Sequence, residues 1–75
     1  MHWNGKTITT AGDLFDAAAS CHTQAEADEF LAAYRAHSEH ADANLGYIIG
    51  YGDDDTRARL YGLFRLNHPI FGEPV

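Results

Sequence analysis

Asn44, Tyr47, Tyr51, Arg57 and His68 are the side chains of this 75-residue chain best suited to reading a flat ligand. Phenol rings stack on a nucleobase or another planar molecule. A guanidinium donates two hydrogen bonds to a phosphate or carboxylate. An asparagine amide presents a donor and an acceptor to a base edge. Tyr47 and Tyr51 are four residues apart, as are Gly46 and Gly50. On a helix this spacing makes a face without side chains, open to close approach by another backbone, beside a ridge of two phenols. Glycine costs a helix about 1 kcal/mol relative to alanine, so two in one short helix require a packing or binding reason. We expect Gly46 and Gly50, with Trp3, at an interface between copies of the chain, and Asn44, Tyr47, Tyr51, Arg57 and His68 around a ligand. A plainer arrangement serves the same residues: the tyrosines pack as partly buried core aromatics, and Arg57 pairs with Asp53 or Asp54.

Other groupings have less specific chemistry. His37 and His40 are three residues apart with Asp42 nearby, and two histidines so spaced on one helical face can share a cation. Cys21-His22 can add ligands from the preceding turn. The spacing matches no standard zinc module, however, and histidines near a helix C-terminus also suit its dipole. Metal is therefore not expected, and no cofactor is implied. Cys21 and His22 are adjacent in sequence, which rarely gives a nucleophile and base the hydrogen-bond geometry they need. No phosphate loop, dinucleotide fingerprint or hydrolase elbow occurs, so the chain reads as non-enzymatic. Asp53-Asp54-Asp55 offers oxygens to a divalent cation, but a helix N-terminal cap accounts for the same residues.

Eleven acidic residues against five basic ones give a net charge of −6. Direct nucleic-acid binding needs a basic surface and is not expected. An acidic surface suits a solvated protein or one that docks on a basic protein partner. The apolar runs fall well short of the roughly 20 residues that cross a bilayer, so no membrane association is expected. The opening residues lack the basic start and apolar stretch of a secretory signal, which makes the cytoplasm the expected compartment. A domain this small buries only about 60% of its unfolded surface. Small domains usually gain support from disulfides, a metal or a partner. One cysteine cannot form an internal disulfide, so self-association or tight helical packing must serve.

The elements that position these residues are legible from caps and periodicity. Asn4-Gly5 between apolar or β-branched residues predicts a hairpin over about 2–8, with Trp3 and Ile8 inward. Thr10 with Asp13, and Thr23 with Glu26, read as capping boxes that open helices at about 11–20 and 24–37. Leu14, Phe15, Ala18 and Ala19 form the first apolar stripe, and Ala27, Phe30, Leu31 and Tyr34 the second. A third helix is expected at about 42–51 around Leu45, Ile48 and Ile49. A fourth is expected at about 54–66 around Leu60, Leu63 and Phe64, after a break at Gly52. Ile70 and Phe71 are expected to return to the core. The fold class is thus mainly α: one domain, a compact bundle of about four short helices with a short N-terminal β-hairpin.

Asn44-Leu45-Gly46-Tyr47, Gly50-Tyr51, Asp53, Leu63-Phe64 and His68-Pro69-Ile70-Phe71-Gly72 resemble the C-terminal half of small uncharacterised proteins encoded by phages and prophages. The resemblance covers about the last 35 residues. The N-terminal half is similar only in plan, with a tryptophan, an Asn-Gly-Lys turn and two helices. Asp53-Asp54-Asp55 makes this chain's turn the more acidic. The resemblance implies a phage origin and, by analogy of class alone, an anti-defence role. The first functional reading is a homo-oligomeric binding protein that holds a compact anionic or nucleotide-like ligand. The alternatives are an acidic inhibitor of a host protein and a virion or assembly accessory.

Overall fold

Two reciprocal caps set the first half of the fold. The Thr10 hydroxyl accepts from the Asp13 N–H at 3.1 Å, and the Asp13 carboxylate accepts from the Thr10 N–H at 3.1 Å. Thr23 and Glu26 repeat the arrangement, again at 3.1 Å in both directions. Each box satisfies N–H groups that a helix start leaves without partners. They open α1 (Ala11–Ala19) and α2 (Gln24–His37). The computed structural model describes residues 1–66. His68, Ile70 and Phe71, for which a site role or a return to the core was expected, lie outside the described residues.

Ahead of α1, β1 (His2–Trp3) pairs antiparallel with β2 (Lys6–Thr7), His2 opposite Thr7 and Trp3 opposite Lys6. Asn4 and Gly5 both have positive φ, 48° and 78°, as a two-residue hairpin turn of this twist requires. Two strands this short do not stand alone in water. Trp3 anchors them by meeting Phe30 of α2 edge to face, with centroids 5.3 Å apart.

The second half is α3 (Ala41–Ile49) and α4 (Asp54–Phe64). Asp53 caps α4 by accepting from the Thr56 N–H at 2.8 Å, so the aspartate run serves a helix start. The helix ends two residues earlier than the periodicity implies, because Arg65 turns into the left-handed region at φ 56°. Gly52 ends no helix; α3 stops at Gly50. Gly52 is instead a contact point, where an added Cβ would meet the Phe15 ring at 3.1 Å. Phe15, expected in the apolar stripe of α1, is half-buried.

The core is formed by all four helices, with Phe30, Leu45, Ile49, Leu60 and Tyr61 among its fully buried side chains. Tyr61 is the largest of these, and its hydroxyl donates to the Gly46 carbonyl at 2.7 Å inside the core. The last turn of α3 shows why that carbonyl needs a donor. Gly50, Tyr51 and Gly52 donate to Tyr47, Ile48 and Ile49 respectively, a tightened i→i+3 pattern. Tyr61 supplies the buried Gly46 carbonyl with a partner from α4. Gly46 is thus buried within its own chain, which corrects its expected place at an interface between copies.

Removing the Tyr61 hydroxyl leaves a buried carbonyl unsatisfied, at a cost of about 1–3 kcal/mol. Tyr61→Phe should therefore unfold at lower urea than the parent, with an unchanged denaturant slope. Equal midpoints would show that the bond contributes nothing to stability.

Candidate functional site

The ends of three helices leave a half-open cleft of about 740 Å³. Thr9, Thr10, Ala11 and Leu14 bring the start of α1 to it. Tyr34, His37 and Ser38 bring the end of α2, and Asn44, Tyr47, Ile48 and Tyr51 bring one face of α3 and its following turn. Met1 and Ile8, joined by an Ile8 N–H to Met1 carbonyl bond of 2.7 Å, close the hairpin side. The volume lies within the roughly 300–1,000 Å³ of small-molecule pockets, and the mixture of apolar wall and few polar groups is typical of them.

Asn44 and Tyr47 lie three apart on one face of α3, and Tyr51, in the turn two residues past its end, meets Tyr47 from there. Their environments differ from the core packing that an aromatic stripe usually signals. Tyr47 is 42% exposed and Tyr51 70% exposed. The two rings meet edge to face at 5.6 Å, and the Tyr51 hydroxyl donates to that of Tyr47 at 3.2 Å. That hydrogen bond, first, and the neighbouring phenol's charge raise the pKa of Tyr51. Tyr34 is buried at the base, stacked on Phe30 with centroids 6.2 Å apart.

The remaining residues singled out in the sequence lie elsewhere. Arg57 does not line the cleft. Its guanidinium pairs with Asp54 and donates to the Gly52 carbonyl at 3.0 Å, so it serves the α3–α4 turn. Trp3 is half-buried against Phe30 and so belongs to the fold of its own chain. Gly50 is half-buried as the C-cap of α3. His37 and His40 do not share a helical face: His37 ends α2, Ser38 is extended, and His40 caps α3. His37 lines the cleft, whereas His40 faces Glu39 at 3.6 Å. Among the described residues, no three His, Cys, Asp or Glu side chains are grouped to hold a metal ion. Cys21 is buried, with its thiol directed to the Ala17 and Glu26 carbonyls. Burial, followed by the Glu26 charge, raises its pKa, which disfavours the thiolate.

Thr9, Thr10, Tyr34, His37 and Ser38 were not read as one site with Asn44. Thr10 and Tyr34 were visible as a cap and a core residue, but nothing in local spacing indicates that the ends of three helices converge. The Asp13 carboxylate accepts from both Thr9 and Thr10 N–H groups at 3.1 Å, and these bonds lower its pKa. No Lys, Arg, Asp or Glu side chain lines the cleft among the described residues.

No protein-family model matches the chain, and no curated protein or solved structure matches it either. Among the described residues, no helix is long and apolar enough to cross a membrane.

Four carboxylates near helix starts give a pH prediction. Asp13, Glu26 and Asp53 have lowered pKa values chiefly through backbone N–H bonds, and Asp42 through its hydrogen bond from Arg35. A lowered native pKa gives stability that is present above the unfolded value, about 4, and lost as pH falls through the native value. Urea denaturation should show a decline in stability below about pH 4.5, and Asp13→Asn with Glu26→Gln should flatten it. An equally steep decline in the double variant would assign acid sensitivity to other groups.

Proposed function

We propose that this protein is a non-enzymatic binder that holds a compact, nucleotide-like planar ligand in the three-helix cleft and works as an assembly of copies. The convergence of Asn44, Tyr47 and Tyr51 on one cleft carries the reading. Their side chains suit stacking and recognition of a base edge, and they share a space of ligand size with Thr9, Thr10 and Ser38. Arg57 has its own structural partners and is not part of the proposed ligand shell.

Tyr51 supports the assembly. It is the most exposed large apolar side chain among the described residues, at the rim of a half-open cleft. A second copy closing over that rim would bury it and exclude water from a bound ligand. Native mass spectrometry should find a particle larger than the 8.3 kDa single chain. A monomer at every concentration tried removes the assembly from the proposal.

A thermal-shift panel of nucleobases, nucleosides and nucleotides tests the ligand. At least one member should raise the melting temperature, because a ligand that binds only the native state stabilises it. Tyr51→Ala and Asn44→Ala should weaken that ligand about tenfold or more while keeping the helical circular dichroism, since both side chains are exposed. Arg57→Ala should lower stability and leave the affinity unchanged. No shift across the panel defeats the reading.

A further inference from the structure

Among the described residues, several groups that could meet a phosphate are engaged within the fold. A helix N-terminus is a natural anion site because its first N–H groups lack partners. The start of α1 opens on the cleft, where the capping box takes up the Thr10 and Asp13 N–H groups and the preceding Thr9 N–H also donates to the Asp13 carboxylate, each at 3.1 Å. An anion placed there would face a carboxylate already in position. The other helix end at the cleft is the C-terminus of α2, whose dipole carries partial negative charge. The Met1 ammonium, a positive charge on a cleft-lining residue, donates to the Ile8 carbonyl at 3.0 Å.

The cations are committed elsewhere as well. Arg35 holds Asp42 in a two-pronged bond at 2.7 and 2.8 Å. Arg57 holds Asp54 and the Gly52 carbonyl. Arg59 donates to the Cys21 carbonyl at 2.7 Å and the Ala19 carbonyl at 3.1 Å, closing the C-terminal end of α1. Lys6 and Arg65, the other two basic residues, do not line the cleft. The net charge of −6 adds long-range repulsion against any approaching phosphate.

The cleft does offer neutral recognition. Tyr47 and Tyr51 present ring faces and edges, Asn44 an amide, and Ser38 and His37 short polar groups against the apolar side chain of Ile48. We infer that the cleft selects the uncharged form of a flat heterocycle, a free base or nucleoside, and discriminates against its phosphorylated derivatives. This specificity rests on the ligand class proposed above and goes beyond it, because the same ring is accepted or rejected according to its phosphate.

Calorimetric titration of the full chain with matched pairs tests this: adenosine and AMP, guanosine and GMP, uridine and UMP. In the series that binds, the nucleoside should bind about tenfold tighter than its monophosphate at low salt, and the gap should narrow as salt screens the repulsion. His37→Arg places a guanidinium at the cleft, where it also suits the C-terminus of α2, and should raise monophosphate affinity about tenfold. Equal or tighter binding of the monophosphate by the parent protein overturns the specificity but leaves a nucleotide-like ligand in place. Failure of every base, nucleoside and monophosphate to bind the folded protein overturns both.

Discussion

A phenol that reaches into a neighbouring helix governs how this small protein packs. The Tyr61 hydroxyl gives the Gly46 carbonyl the donor it needs as the last turn of α3 tightens. The bond is 2.7 Å long and buried, in surroundings where an unmet carbonyl is costly. It fixes the angular position of α3 against α4. With one face of α3 committed to the core through Leu45, Gly46 and Ile49, the face bearing Asn44 and Tyr47 is turned outward. The core bond and the proposed ligand face are therefore two sides of one helix.

Side-chain clasps over helix ends support this arrangement. Arg59 of α4 closes the carbonyl end of α1, and Gln24 at the start of α2 donates to the Leu63 carbonyl of α4 at 2.9 Å. Arg35 near the end of α2 grips Asp42 in the first turn of α3, a geometry that also places negative charge at a helix N-terminus. Exposed pairs of this kind contribute modestly to stability. Their larger effect is on register: the Arg59 and Gln24 bonds join elements about 40 residues apart in the chain, and the Arg35–Asp42 pair sets the angle of the short α2–α3 turn. Committing Arg35, Arg57 and Arg59 in this way leaves a cleft that no arginine or lysine lines among the described residues. The same clasps that hold the bundle thus shape what it can bind.

The sequence is strongest where a signal is local. Asn4-Gly5, Thr10 with Asp13, Thr23 with Glu26, and Asp53 ahead of α4 each act within a few residues, and each does what its chemistry predicts. The span of α2, Gln24–His37, and the burial of Ala27, Phe30, Leu31 and Tyr34 follow from a clean helical period. Signals that depend on a distant partner read less well. Gly46 and Gly50 look like a bare face for another subunit, but Gly46 is enclosed by its own chain. Tyr61 carries no local mark of its central role, because its importance comes from a carbonyl fifteen residues away.

What the chain alone determined is the set of four helices and the hairpin, since caps, turns and apolar spacing are properties of neighbouring residues. It also determined that Asn44 and Tyr47 share a helical face, because that is a matter of period. Only the tertiary structure decided that this face lines a cleft, that Arg57 stands apart from it, and that the capped start of α1 arrives there. Those outcomes depend on how helices distant in sequence dock, and docking is set by buried contacts that no local window contains.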